Sequence, residues 1–545
     1  MKILSAAEMQ TCDRLTSTQF GVSSFELMRS AAGAVTDFAL YHFPATRSVT
    51  VLCGKGNNGG DGMMTACRLS QAGLAVTTLL LGDPAGLKGD AVHAWNQLSK
   101  ANLPAGSIRV VQSLEELSGL SDALSADLII DALVGTGFQP PLRGLPLDAL
   151  NWLRSGLKPS TKILAIDLPS GWDADSTAPV QPGPVYPADA VVTFSAPKPA
   201  HVFGQLTRNI FQPIVVAPIG SPDEAILSSL NLHWSGASKA ITDVPRPAVS
   251  NKGMYGHVLV IGGSRGKSGA PAMASLAALR AGAGLVTAAV TPSVLPLVAA
   301  IAPELMTQAL AVTSEGETSS ENLSAASLKN LLHRISVLAL GPGLGTSPEA
   351  IEFALGLLSA TKLPAVVDAD ALNAIATQPD LLPQLSTGRT LVMTPHPGEM
   401  SRLSGLSIPE IQADRLKVAR EFAVKNQVIL VLKGWRTLIA HPDGSIAVNT
   451  TGNPGMAKGG SGDLLTGMVA GLLAQYSGNP QQAVEAAVYL HGLAADITVN
   501  RPGIGGDQHT LLATDSLDNL HRAFRYDPQG DPGYGWLQGF REEII

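Results

Sequence analysis

The residues from Asn449 to Asp463 read NTTGNPGMAKGGSGD and run directly into the helical stretch LLTGMVAGLL. Small residues just ahead of a helix leave several amide N–H groups unclaimed at the positive end of its dipole, which makes an anion hole. Asp463 falls in the first turn. Its structural role there would be to complement the dipole; beside a phosphate it is placed to take the proton from an attacking hydroxyl. Phosphoryl transfer needs both parts, amides for the developing charge and a base for the acceptor. Two loops support this chemistry. In Thr394–Pro395–His396–Pro397–Gly398–Glu399 the prolines hold His396 extended for a ligand, and Lys433–Gly434 ends an apolar run where an ammonium can meet a nucleotide phosphate. His396 satisfied by backbone is the competing reading of that loop, and His491, mid-helix among apolar neighbours, reads as core.

The amino-terminal half carries a different set. Gly54–Lys55–Gly56–Asn57–Asn58–Gly59 matches G-x-G-x-x-G and continues as Gly60–Asp61–Gly62, with Asp83 near the position of a ribose-binding acid. Its glycines would let backbone approach a phosphate at a helix N-terminus, but Asp61 would repel that phosphate unless turned toward sugar hydroxyls or a cation. A tight turn is the structural alternative. Asp131 and Asp167 each end an apolar run and open a Gly-containing loop, so they cap a helix or join a cluster of hard oxygen ligands suited to an alkali or alkaline-earth cation. Gly262–Gly263–Ser264–Arg265–Gly266 matches the nucleophile elbow G-x-S-x-G, yet the loop continues through Lys267 to Pro271 where an elbow needs a helix at once. The adjacent Gly266–Lys267–Ser268 lacks the leading glycine of a phosphate-binding loop, because Ile261 stands in its place. With neither H-E-x-x-H nor a Cys/His cluster in the sequence, zinc is not expected.

These residues need elements to hold them. Strands are expected at 48–53, 75–81, 107–112, 127–131, 162–167 and 190–194, with gaps able to hold helices: the βαβ pattern of a parallel sheet. Ligands bind such sheets at the carboxyl ends of the strands, which predicts that the loops after 53, 131 and 167 share one edge. Ser23 to Glu26 forms a capping box that starts a helix. Periodicity fades over 217–253 into Pro-, Ser- and charge-containing sequence, and a second α/β region follows with strands at 257–262, 336–340, 364–368, 390–394 and 427–432. Helices are expected at 461–475, 480–498 and 511–523. The expected organisation is residues 1–224, residues 225–524 and a loosely held tail, 525–545.

The 545 residues are 45% hydrophobic and 15% charged, with a formal charge of −7, which excludes a disordered chain and a general nucleic-acid binder. Three cysteines without C-x-x-C spacing exclude a disulfide framework. The charge-free stretch between Arg280 and Glu304 is broken by Gly282, Gly284, Pro292, Pro296 and Pro303, so it reads as strand, turn and short helix rather than a membrane span. A soluble, cytoplasmic protein with no membrane partner is expected.

Over nearly the whole chain these motifs resemble the bifunctional NAD(P)H-hydrate repair enzymes, an epimerase fused to a dehydratase. The resemblance rests on GKGNNGGDG (54–62), DALVGTG (131–137), AIDLPSGWD (165–173), TFSAPKP (193–199), KGMYGHVLVIGGSRGKSGAP (252–271), GPGLG (341–345), VDADALN (367–373), TPHPGE (394–399), LKG (432–434) and NPGMAKGGSGDLLTG (453–467). It implies a Rossmann-like parallel-sheet domain followed by a ribokinase-like α/β domain, and a substrate, hydrated NADH or NADPH, that the residues alone do not give. By resemblance, Asn57, Asn58, Gly59, Gly60 and Asp61, then Gly135, Thr136, Gly137, Phe138, Gln139, Pro140 and Pro141, with Asp167, hold the hydrate for epimerisation. Asn58, Asp131 and Ser170 hold K+. Ala270, Gly343, His396 and Asp463 meet the hydrate in the second domain, and Lys433, Gly434, Trp435, Arg436, Thr437 and Gly462 meet ADP, which enters with Mg2+ and leaves as AMP and phosphate. Asp463 and Asp167 are the catalytic candidates, and a homo-oligomer is expected. The alternative is a ribokinase-like small-molecule kinase with an accessory nucleotide-binding domain.

Overall fold

The computed structural model describes residues 1–101, 103–500, 506–530 and 533–540. They form two compact units, one from Met1–Leu232 joined by a returning segment that starts at Pro528, the other from His233–Asp527. In the first unit, β1 (Ser48–Cys53), β2 (Ala75–Leu81), β3 (Ile108–Val111), β4 (Leu128–Ala132), β5 (Lys162–Ile166), β6 (Ala190–Phe194) and β7 (Ile214–Ala217) form one parallel sheet in the order β7-β6-β5-β4-β1-β2-β3. The central strands β4, β5 and β6 are buried along almost their full length, as expected when helices cover both faces of a sheet.

The residues expected as a loose tail contain a buried strand, Gly535–Gln538, antiparallel to β7 at the sheet edge. Its anchors are polar and distant in sequence. Gln538 Nε2 donates to Thr207 Oγ1 at 3.0 Å and to the Gln212 carbonyl at 2.9 Å, and Tyr534 Oη donates to the Ala34 carbonyl at 3.0 Å. A four-residue edge strand held this way has no periodic signature of its own.

In the second unit, β8 (Leu232–Trp234), β9 (His257–Ile261), β10 (Leu285–Val290), β11 (Met306–Ala309), β12 (Val337–Leu340), β13 (Ala365–Val367), β14 (Leu391–Met393), β15 (Ile429–Leu432), β16 (Leu438–Ala440) and β17 (Ile446–Val448) form a ten-stranded sheet. Its order is β11-β10-β9-β12-β13-β14-β15-β16-β17-β8, parallel from β11 to β15 and antiparallel through the β15-β16-β17 meander. The charge-free stretch becomes β10 and the short helix Leu295–Ala299, and no helix among the described residues is long and apolar enough to cross a membrane.

Helix Ser461–Gln475 packs along helix Gly269–Arg280 through glycines. A Cβ on Gly467 would stand 2.0 Å from the Ala274 carbonyl oxygen, and one on Gly471 2.9 Å from that of Ala278. Any side chain there would push helix Ser461–Gln475 away from helix Gly269–Arg280.

A polar triad ties the outer strands to helix Pro480–Asn500. Glu485 Oε1 accepts from His233 Nε2 at 2.9 Å and from His441 Nε2 at 2.7 Å. Burial alone would raise the Glu485 carboxyl; the two imidazoles outweigh it and hold the group down to about 2. The stability this contributes is present above the unfolded carboxyl value near 4.5 and is lost as pH falls toward 2. Glu485→Gln is expected to destabilise the protein by about 2–3 kcal/mol at neutral pH, read from urea unfolding, with the deficit shrinking below pH ~4.

Candidate functional site

The loops after β1, β4 and β5 meet at one edge of the first sheet, around a cavity of about 960 Å³. Helix Asn57–Gln71 starts there without a side-chain cap. Two glycines of the motif allow close backbone approach between loops: a Cβ on Gly54, which also lines the cavity, would lie 1.9 Å from the Leu133 carbonyl oxygen, and one on Gly59 1.9 Å from that of Gly54. A Cβ on Gly60 would stand 2.5 Å from Met28 Cε, a side chain of helix Ser24–His42. Asn57, Asn58 and Asp61 line the cavity, as do Gly135 to Phe138 and Asp167, whereas Gly59, Gly60, Gln139, Pro140 and Pro141 do not.

Asp167 sits immediately after β5 with φ +64°, a left-handed conformation that turns its carboxylate into the cavity. Oδ1 accepts from Lys198 Nζ at 2.8 Å and Thr193 Oγ1 at 2.9 Å; Oδ2 accepts from the Thr136 amide at 3.0 Å and from the Thr136 hydroxyl. Burial by itself would raise this carboxyl, but the Lys198 ammonium, with the hydrogen bonds, holds it well below the usual carboxylate range. Lys198 is itself only 2% exposed. His201 completes the group. Its Nδ1 accepts the Lys198 amide at 3.0 Å, so Nε2 carries the hydrogen that meets the Asp167 carbonyl at 2.7 Å. Burial and the neighbouring ammonium press its pKa down to about 4, which keeps the ring neutral.

The sequence reading missed Lys198, Thr193 and His201 as site residues. The signal was the TFSAPKP run itself, in which a lysine between prolines follows a buried strand. Asp13 was missed too; it reaches the cavity from helix Ala6–Gln19 and is raised to about 6, mainly by burial.

Asp131 and Ser170 form a pair beneath the same loops. Ser170 donates through its amide at 2.7 Å and its hydroxyl at 2.6 Å. Burial still raises Asp131 to about 6 against those bonds. Asn58 Oδ1 and Nδ2 are both buried without a hydrogen-bond partner. An orphaned amide oxygen and an under-compensated carboxylate are each the kind of hard donor that a monovalent cation takes.

In the second unit a cavity of about 730 Å³ opens beside the start of helix Ser461–Gln475, whose N-cap, Gly460, has φ +99° and no side-chain cap. Lys433 to Thr437, His396 and Gly462 line it together. Lys433 Nζ meets Asp368 Oδ1 at 3.1 Å, and Thr466 Oγ1 donates to Asp368 Oδ2 at 2.8 Å. Asp463, half-buried one residue beyond the cavity lining, is raised to about 6 by burial and then by the Asp368 charge, with Lys433 opposing. Among the described residues no hydrogen bond occupies its carboxylate. Asp496 anchors the glycine-rich loop, accepting from the Gly452 amide at 2.8 Å and Asn453 Nδ2 at 2.9 Å.

Ala270 and Gly343 do not line this cavity. A Cβ on Gly343 would lie 3.5 Å from that of Ala270 and 2.9 Å from the Lys267 carbonyl oxygen, so these two loops touch each other. His396 caps helix Pro397–Ser404, its Nδ1 accepting the Gly398 amide at 2.9 Å, and its Nε2 lies 3.5 Å from Glu399 Oε1. Arg436 is buried against the Thr450 carbonyl and acts on the loop's shape. Ser264 Oγ donates to the Gly343 carbonyl at 3.0 Å, and the helix that follows begins only at Gly269, so no nucleophile elbow forms. His491 is buried in the cavity wall and depressed to about 4 by burial.

Residues 24–200 match the family model of the YjeF-related protein N-terminus, and residues 258–517 match that of NAD(P)H-hydrate dehydratase. A bifunctional NAD(P)H-hydrate repair enzyme of Moorella thermoacetica is 40% identical over 96% of this chain and 97% of its own length. Those of Coxiella burnetii (37% identical, covering 94% and 97%) and Escherichia coli (34%, covering 95% and 93%) match in the same way. A solved ADP/ATP-dependent NAD(P)H-hydrate dehydratase of Bacillus subtilis, co-crystallised with ATP and Mg2+, is 34% identical over 53% of this chain and 96% of its own, with a TM-score of 0.45. With both halves matched in order and relatives aligned end to end, the chain belongs to the family of bifunctional NAD(P)H-hydrate repair enzymes.

Proposed function

We propose that this chain repairs NADH and NADPH damaged by water addition at C6 of the nicotinamide ring. The first unit interconverts the R and S hydrates, and the second dehydrates the S form at the expense of ADP, giving AMP and phosphate. The observation that carries the second activity is the uncapped helix start at Gly460 with Asp463 in its first turn. Hydroxide is a poor leaving group. Asp463 removes the proton of the ring hydroxyl as that oxygen attacks the β-phosphorus of ADP, and AMP departs. Amides of Gly459 to Gly462 receive the charge of the transferring phosphoryl group. The ring-nitrogen lone pair then expels phosphate, and loss of a proton from C5 restores the reduced ring. Lys433 to Thr437 and Gly462 hold the nucleotide; Ala270, Gly343 and His396 hold the hydrate. Mg2+ entering with ADP would neutralise phosphate charge, a role suited to a hard cation.

In the first unit, Asp167 handles the proton at the hydroxyl-bearing carbon. Its four donors keep it ionised, so it acts as acceptor, and Lys198 is the group able to return a proton. Asn58, Asp131 and Ser170 would hold K+, which supplies positive charge beneath the loop that carries Gly135 to Pro141. The orphaned Asn58 amide supports that assignment.

Mixed hydrates incubated with ADP should regain the reduced-nicotinamide absorbance completely; without ADP only the R to S ratio should change. No recovery with any nucleotide would refute the proposal. Asp463→Asn should lower the dehydratase rate by 10²–10⁴-fold, the usual worth of a positioned base, while the R to S exchange continues. Because Asp463 must be ionised and titrates near 6, the wild-type rate should fall about tenfold per pH unit below that value and level off above it. Asp167→Ala loaded with the R hydrate should form no S hydrate faster than buffer does; unchanged conversion removes Asp167 from the mechanism. Exchanging K+ for a bulky organic cation should lower the thermal midpoint of the wild type and leave that of Asn58→Ala unmoved.

A further inference from the structure

The cavity of the first unit continues past Asp167 and Lys198 to the end of β2, where Lys55 has no assigned part. Its side chain lies across the turn after β2: a Cβ on Gly82 would be 2.9 Å from Lys55 Cδ, and one on Gly86 3.7 Å from its Nζ. The φ of +126° at Gly82 is open to glycine and keeps that surface bare. Lys55 is exposed and takes part in none of the salt bridges among the described residues. Its main chain is fixed, since the Lys88 amide donates to its carbonyl at 3.3 Å.

In a classical dinucleotide fold the residue after β2 is an acid that accepts the ribose 2′-hydroxyl and repels a phosphate there. Asp83 stands near that position in the sequence, but its Oδ1 accepts the Ala85 amide at 2.8 Å and caps the turn Pro84–Gly86. Asp83 does not line the cavity, whereas Lys55, Leu81 and Gly82 do. The place that usually rejects a 2′-phosphate therefore presents an ammonium. The span is also suitable. From β5, which carries Asp167, to β2 is three strand steps through β4 and β1, about 14 Å at the ordinary interstrand spacing, the reach of an extended dinucleotide from its reacting ring to its adenosine ribose.

We propose that Lys55 is a specificity residue of the epimerase unit that pairs with the 2′-phosphate of hydrated NADPH, so that this unit prefers the phosphorylated cofactor. The assignment rests on the epimerase reading above and names which of its two substrates the site favours.

The test uses the full chain without ADP, so that dehydration does not draw off the S form, and follows R to S conversion of each hydrate. In the wild type kcat/KM should be higher for the NADPH hydrate. Lys55→Ala should lower the NADPH-to-NADH ratio of kcat/KM at least tenfold, chiefly through KM, and Lys55→Arg should retain it. The wild-type ratio should shrink as ionic strength rises, because the ammonium is exposed. A ratio that stays within twofold in Lys55→Ala, or an equal loss on both hydrates, would overturn the assignment, the second because it would place Lys55 on a group the two share. A wild type inactive on both hydrates would instead remove the epimerase reading, and this assignment with it.

Discussion

Both candidate sites depend on carboxylates that parallel sheets force out of water at the carboxyl ends of their strands. A buried carboxylate is tolerated only when donors or a cation compensate it. The two units reach the same answer with different residues. In the first, Asp167 follows β5 and is held by Lys198, two threonines and a backbone amide; in the second, Asp368 follows β13 and is held by Lys433 and Thr466. Each pair fixes an ammonium at the edge where a ligand arrives. Asp131 and Asp463 are less fully compensated and are pushed up to about 6 by burial, as is Asp13.

Glycine does two separate jobs in this chain. At Gly54, Gly59, Gly467 and Gly471 it removes a Cβ that would strike a backbone carbonyl, which lets a loop or helix approach its neighbour closely. At Gly460 the left-handed φ ends the loop and leaves the following amides bare. Close packing sets the position of the helix start, and the uncapped loop sets its charge. An anion hole needs both.

Much of this was legible because its signals are local. The parallel strands of both units announce themselves as apolar runs, and Asp131, Asp167 and Asp463 stand out by ending a strand or opening a helix. The bonds that complete the sites are not local. Lys198 reaches Asp167 across 31 residues, and Lys433 reaches Asp368 across 65. No spacing rule connects such pairs. Short elements were hidden for another reason: β8, β16 and β17 have three residues each, too few for alternation to show. The motif glycines Gly59 and Gly60 read as ligand contacts because a backbone approach to a ligand and one to a neighbouring carbonyl demand the same residue.

The strand Gly535–Gln538 makes the first unit discontinuous: the entire second unit is threaded as an insert between β7 and the strand that covers its edge. A ribosome delivers that strand only after the whole second unit, so until then β7 presents open amides and carbonyls, the kind of border that recruits stray chains. Cutting the gene at the apparent junction would leave the first unit without its edge strand. An epimerase half made alone would carry a raw flank, and the fusion of the two activities is thereby written into hydrogen bonds as well as into the reading frame.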